Sequence, residues 1–192
     1  MRAFLAVPVT PPALEAGTAL LERLRAALPD VRWVRPEGLH LTLHFWPNLA
    51  ETDVPRVLAA AQEPLTGAAP FQASFGGLGV FPRAGDERVL WLGMHGGDAE
   101  AIALQAGVES ALDAAGFSAE ERRFHPHVTL GRPRQRFDHA ARARWGGFED
   151  ATLPPCAASQ VWLYRSQPGP GGSRYEVLER LPLGGEASSA SG

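Results

Sequence analysis

Two tetrapeptides of the same form, His-Leu-Thr-Leu at 40–43 and His-Val-Thr-Leu at 127–130, constrain the fold of this chain more than any other feature. Their alternation of polar and apolar residues predicts two β-strands. Because successive side chains of a strand point to opposite faces, the histidine and threonine of each segment share one face. We expect four polar side chains to converge on one ligand: His40, Thr42, His127 and Thr129.

The surrounding sequence predicts a mixture of helices and strands. Apolar spacing predicts helices after Thr10, which would be the N-cap, and over 53–65 and 99–115. Strands are predicted at 4–9, 31–34, 39–45, 71–80, 89–94, 124–131, 156–165 and 174–183. The two histidines lie 87 residues apart, close to half of the folded length. We therefore predict an α+β fold, a bilobal duplicated unit in which two antiparallel sheets form a central cleft with helices packed on the outside.

The composition bounds the class of protein. The 192 residues suffice for one domain, which we place at 1–183, and the small polar residues 184–192 predict a disordered tail. The net charge of −3 does not indicate a non-specific polyanion binder. No apolar run is long enough to span a membrane. The lone Cys156 has no intrachain disulfide partner, which predicts a reducing, cytoplasmic location.

All 18 basic residues are arginine, and lysine is absent. A phosphate-binding loop that depends on lysine is therefore excluded, and so is a lysine–nucleotide adduct. Any phosphate that this chain binds is held by arginine, histidine, hydroxyl groups or backbone N–H groups.

The four converging side chains predict acid–base chemistry at phosphorus. One histidine can take a proton from an attacking water while the other protonates the leaving oxygen. The two threonine hydroxyls can donate hydrogen bonds to the non-bridging oxygens, where negative charge develops. A cyclic phosphodiester suits this scheme because ring opening needs one attack and one departure. No metal or other cofactor is required by it.

The segments 39–45 and 124–132 resemble the paired motifs of the 2H phosphoesterase superfamily, and most closely its RNA 2′,3′-cyclic phosphodiesterases, long labelled 2′-5′ RNA ligases. The first strand and the C-terminal pattern Leu-Tyr-Arg-Ser at 163–166 with Tyr-Glu-Val-Leu at 175–178 also fit. The resemblance implies hydrolysis of RNA 2′,3′-cyclic phosphate ends to 2′-phosphates. It assigns His40 as general acid, His127 as general base, Thr42 and Thr129 as phosphate-binding residues, and Arg132 as a contact near the phosphate and nucleobase.

Other functions remain open on the sequence alone. The same site run backwards would join a cyclic phosphate to a 5′-hydroxyl, giving 2′-5′ RNA ligation. Small cyclic nucleotides are a second alternative, and a non-catalytic RNA-binding module is a third. His44 and His125 share the predicted faces of His40 and His127, so the four imidazoles could instead hold a metal ion; the threonines would then be unexplained, and we predict no metal.

Seven arginines within 23 residues suggest a basic rim that contacts an RNA backbone. They are Arg122, Arg123, Arg132, Arg134, Arg136, Arg142 and Arg144. Trp46 follows the first motif, where it could stack on a base, and either Phe4 or Leu5 could wall the base pocket. The expected partner is RNA with a cyclic phosphate end, bound by a monomer.

Overall fold

Nine strands and four α-helices form the part of the chain that the computed structural model describes, residues 1–118, 123–169 and 172–184. The strands are β1 (Arg2–Pro8), β2 (Val31–Trp33), β3 (His40–Trp46), β4 (Phe71–Arg83), β5 (Asp86–Gly96), β6 (His127–Pro133), β7 (Cys156–Ala158), β8 (Gln160–Gln167) and β9 (Arg174–Pro182). The helices are α1 (Ala13–Ala27), α2 (Val54–Gly67), α3 (Asp98–Ala114) and α4 (His139–Gly146). The predicted α+β class is confirmed.

The strands form one curled antiparallel sheet in the order β7-β4-β5-β6-β3-β1-β8-β9, and β2 pairs with the free part of β6. The two motif strands are therefore central neighbours, with three strands on either side of them. The prediction of two separate sheets is wrong, because β3 and β6 meet through the pair Leu41 and Val128 and join both halves. That single pair depends on tertiary packing and has no local sequence signal.

The hydrophobic core lies between one face of this sheet and the helices. Leu41 and Val128 from the two motif strands are fully buried there, in one cluster with Leu24 of α1 and Leu112 of α3. A smaller cluster on the opposite face contains Phe4, Ala6 and Tyr164. The core therefore fixes the motif strands through their apolar residues and leaves their polar residues on the other face.

Several local predictions need correction. Thr10 is not the N-cap of α1, because its hydroxyl donates to the carbonyl of Ala157 and the helix begins after Pro12. The single strand predicted at 156–165 is two strands, β7 and β8, and α4 was not predicted. Of the predicted disordered tail, 185–192 lies outside the described residues. None of the described helices is both long enough and apolar enough to cross a membrane.

Candidate active site

The register of the motif strands brings the four predicted polar residues together. Because β3 and β6 are antiparallel with Leu41 opposite Val128, His40 lies across from Thr129 and Thr42 lies across from His127. All four line one cavity of about 510 Å³. The hydroxyls of Thr42 and Thr129 make no hydrogen bond with any other described residue, so both can donate to a ligand.

A β-bulge interrupts each motif strand at the same position after its histidine. On β3, Leu5 lies opposite His44 and Ala6 opposite Thr42, which leaves the residue between them, Leu43, without a partner. On β6, Gly131 and Thr129 are opposite consecutive residues of β5, which leaves Leu130 without one. Each bulge shifts the alternation by one residue, so the side chains beyond it change faces.

The bulges decide which of the following residues reach the cavity. Phe45 and Arg132, each five positions after a motif histidine, both line it. His44 and Trp46 instead turn to the core face, where both are buried and their rings are 4.2 Å apart. Strict alternation along the predicted strand 39–45 places Phe45 on the face opposite His40 and His44 on the same face as His40, and both placements are wrong.

Both motif imidazoles are held by the same hydrogen bond. Nδ1 of His40 lies 2.6 Å from the carbonyl oxygen of Gly38, and Nδ1 of His127 lies 2.6 Å from that of His125. Since a carbonyl oxygen only accepts, Nδ1 of each ring is the donor. Nε2 is therefore the nitrogen that can exchange a proton with a ligand, and the two rings are equivalent in tautomer.

Burial sets the charge of the two imidazoles. It lowers the pKa of His40 from 6.5 to about 4, against the hydrogen bond to Gly38, and the nearby His127 lowers it further. Burial likewise lowers the pKa of His127, and the charges of His125 and Arg132 act in the same direction. In the ligand-free protein, both imidazoles are therefore disposed to be neutral at pH 7.

Each motif histidine has its own aromatic surroundings. Phe4 stacks on His40 with ring centroids 4.6 Å apart, and Tyr175 meets His40 edge-on at 5.4 Å. His127 packs against Phe81 at 5.1 Å and Trp91 at 5.9 Å. These ring contacts restrict the orientation of both imidazoles. Of the two first-strand residues proposed as pocket walls, Phe4 lines the cavity and Leu5 is fully buried in the core.

The four histidines do not converge. His44 lies on the core side of the sheet, with its Nδ1 2.6 Å from a carboxylate oxygen of Glu109 on α3. His125 precedes β6 and packs on Trp91 with centroids 4.8 Å apart. No group of three or more potential metal-binding His, Cys, Asp or Glu residues occurs in the described part of the chain. The alternative of a four-imidazole metal site is therefore not supported by where these side chains lie.

Trp46, buried beside His44, is equally unable to stack on a ligand in the cavity.

The arginines of the cavity differ from the predicted rim. Of the seven clustered arginines, Arg132 is the one described residue that lines the cavity, while Arg122 lies outside the described residues. Arg142 pairs with the buried Glu87, and Arg136 donates to the carbonyl of Gly85. The other arginines that line the cavity come from the N-terminal region and were missed by the sequence analysis: Arg2, Arg32 and Arg35. The alternation in Val-Arg-Trp at 31–33 is the signal that could have found Arg32.

The convergence of two histidines and two threonines on one cavity is the arrangement that the 2H phosphoesterase resemblance implies. A sequence profile described as the 2′-5′ RNA ligase superfamily matches residues 10–169. The chain belongs to this superfamily, and the predicted resemblance is confirmed.

Individual relatives match over nearly the whole chain. The RNA 2′,3′-cyclic phosphodiesterase of Methanothermobacter thermautotrophicus is 33% identical over 95% of this chain and 99% of its own. The protein of the same name from Thermus thermophilus is 34% identical, over 90% and 86%. A crystal structure of a Thermus thermophilus protein superposes with a TM-score of 0.76 at 29% identity, covering 97% of this chain and 100% of that one. Escherichia coli LigT complexed with 3′-AMP gives a TM-score of 0.71 at 26% identity, covering 95% and 97%.

Proposed function

We propose that this chain hydrolyses the 2′,3′-cyclic phosphate ends of RNA to 2′-phosphate ends with two histidines and no metal ion. The observation that supports it most directly is the pair of imidazoles with equivalent Nδ1 anchors beside two unpaired threonine hydroxyls in one cavity. Relatives of about one-third identity, named RNA 2′,3′-cyclic phosphodiesterases, support the substrate class.

The proposed reaction is an in-line displacement. Nε2 of His127 takes a proton from water as the water oxygen bonds to phosphorus, and the bond from phosphorus to O3′ breaks. Nε2 of His40 gives a proton to O3′, so one proton enters the histidine pair and one leaves it. The product carries a 2′-phosphate and a free 3′-hydroxyl.

Charge on the non-bridging oxygens is stabilised by three side chains. The hydroxyls of Thr42 and Thr129 lie across the strand pair from His127 and His40, so the phosphate can contact all four groups at once. Arg132 supplies a fixed positive charge from the same face. Preorganised donors of this kind typically contribute about 10²–10³ in rate each.

The test is incubation of the purified protein with an oligoribonucleotide that ends in a 2′,3′-cyclic phosphate, with EDTA present. Wild type should give a 2′-phosphate, and the His40→Ala/His127→Ala double variant should give no product. His139→Ala, which alters an exposed histidine of α4 outside the cavity, is the matched control and should keep full activity. A 3′-phosphate product would reverse the roles of His40 and His127, and activity in the double variant would refute the site.

Ligation at the same site is the second candidate, favoured by the superfamily to which the chain belongs. A 5′-hydroxyl would replace water, with proton transfers through the same two Nε2 atoms. Water competes at about 55 M, so we expect hydrolysis to dominate in dilute solution. A cytoplasmic location and a monomeric state stay predictions.

A further inference from the structure

The charged side chains that line the cavity, apart from the titratable histidines, all carry positive charge. Arg2 on β1, Arg32 on β2, Arg35 after β2 and Arg132 on β6 all line it, and no aspartate or glutamate among the described residues does. None of these four arginines forms an ion pair with a described carboxylate, whereas the arginines that do form one lie elsewhere. Four guanidinium groups thus share one cavity without a protein counter-charge.

Two of these charges are placed in direct opposition. Arg32 and Arg132 are register partners on the antiparallel strands β2 and β6, and like charges directly opposite each other destabilise a strand pair. The next register pair, Trp33 and Gly131, is buried, so its packing holds the register in place. A bound anion beside Arg32 would relieve this repulsion.

Arg2 is also held in position. Its guanidinium lies 5.2 Å from the ring centroid of Phe45, the residue that the β3 bulge turns into the cavity. Burial raises the pKa of Tyr175, and the charges of Arg132 and Arg2 act in the opposite direction, which places both arginines near the same phenol. Arg2 and Arg132 therefore lie near one another at the Tyr175 wall of the cavity.

A single reacting phosphodiester carries one negative charge, and Arg132 with the two threonines already provides for it. We propose that Arg2, Arg32 and Arg35 form a second anion subsite, which binds a further phosphate carried by the same substrate. This inference rests on the proposed function. The chemistry that fits is a phosphate on the 5′-oxygen of the terminal nucleoside. It can be the diester that links that nucleoside to an RNA chain, or a monoester on a small nucleotide.

Four substrates with the same terminal 2′,3′-cyclic phosphate separate these possibilities. The first has a free 5′-hydroxyl, the second a 5′-phosphate monoester, and the third a 5′-phosphodiester to one more nucleoside. The fourth replaces that diester with an uncharged methylphosphonate. We expect kcat/KM to be about tenfold higher for a charged 5′-group than for an uncharged one, as for charge-assisted hydrogen bonds to one phosphate.

The preference identifies the source of the anion. A gain for the diester alone assigns the subsite to an RNA chain, and a gain for the monoester alone assigns it to a small nucleotide. Equal kcat/KM for the diester and its methylphosphonate, together with no gain for the monoester, would overturn the proposal.

The variants Arg32→Gln and Arg35→Gln should remove the preference and leave kcat/KM for the 5′-hydroxyl substrate within about twofold, because surface charges away from the reacting phosphate have small effects. Arg88→Gln is the matched control. It removes the same charge from an exposed arginine outside the cavity and should keep the preference. An equal loss of kcat/KM on all four substrates would mean that these arginines serve the reacting phosphate instead.

A binding measurement separates this inference from the proposed function. Calorimetry with a nucleoside 2′-phosphate that carries a 5′-hydroxyl, a 5′-phosphate monoester or a 5′-phosphodiester needs no turnover. A roughly tenfold tighter Kd for either ligand with a charged 5′-group, lost in Arg32→Gln, supports the second subsite even if no substrate is hydrolysed. Equal Kd values for all three ligands would overturn it even if hydrolysis is found.

Discussion

A phosphate anion in the cavity should raise the pKa of His40 by about three pH units. In the free protein, burial lowers this pKa from 6.5 to about 4, equivalent to roughly 3.4 kcal/mol against the protonated ring. A unit negative charge about 4 Å from the imidazolium contributes about 4 kcal/mol in its favour at an effective dielectric constant near 20. The two effects nearly cancel, so the pKa of His40 in the complex should be about 7.

The proposed mechanism depends on this shift. A general acid with a pKa near 4 would be protonated in only about one molecule in a thousand at pH 7. With the phosphate bound, about half of the His40 rings would carry the proton that O3′ requires. Binding of the substrate therefore favours the protonated form of His40. Because kcat/KM reports the free enzyme and kcat reports the complex, kcat should have its optimum at a higher pH than kcat/KM.

Nuclear magnetic resonance of ¹⁵N-labelled histidine rings measures this directly. The titration uses the His127→Ala variant, with and without a nucleoside 2′,3′-cyclic phosphate, because slow turnover preserves a ligand that keeps one charge across the pH range. The corresponding nucleoside without phosphate is the control and should leave the pKa of His40 below 6.5, as burial requires. A pKa near 6.5 in the free protein would refute the burial argument, and an unchanged pKa in the complex would refute the role of the phosphate.

Three further predictions follow from the same structure. The contribution of His40 to the free energy of unfolding should rise by about 3 kcal/mol between pH 4 and 6.5, because the unfolded chain binds the proton more tightly over that interval. Urea unfolding of wild type and His40→Gln measures this contribution. A stability of wild type relative to His40→Gln that grows as the pH falls would contradict this sign. Gly131→Ala should lower the free energy of unfolding by about 1–3 kcal/mol, since the new Cβ would lie 2.8 Å from atoms of Trp33 and Val31. In the control variant Gly67→Ala, the new Cβ has no atom within 4 Å, so its denaturant midpoint should equal that of wild type. Thr129→Ala should reduce kcat by about 10²-fold and leave stability nearly unchanged, and a loss confined to KM would contradict its donor role.

The central elements were predictable because their signals are local. The alternation at 40–43 and 127–130 was sufficient to place each histidine with its threonine, and the apolar spacing of Leu20, Leu21 and Leu24 was sufficient for α1. Helix α4 lacked such a signal, since of its eight residues only Trp145 is buried. Its start is set by Asp138, which accepts a hydrogen bond from the N–H of Ala141.

The rest depended on contacts between distant segments. Nothing in the sequence near Leu43 distinguishes a regular strand from a bulged one, so His44 and Phe45 were placed on the wrong faces. On the core face, Nδ1 of His44 is hydrogen-bonded to the carboxylate of Glu109, which lies 65 residues away in the sequence. Likewise Arg2, Arg32 and Arg35 become neighbours of Arg132 only when β1, β2 and β6 assemble.

The paired bulges leave one residue in each motif strand that acts as a spacer. Leu43 and His44 are consecutive buried residues, and so are Leu130 and Gly131, whereas the residues on either side of each pair line the cavity. Deleting Leu43 would therefore produce a regularly alternating strand in which His44 still faces the core and Phe45 still faces the cavity. Deletion of either leucine would thus remove the local kink and the added twist of the bulge, without exchanging the side chains that line the cavity.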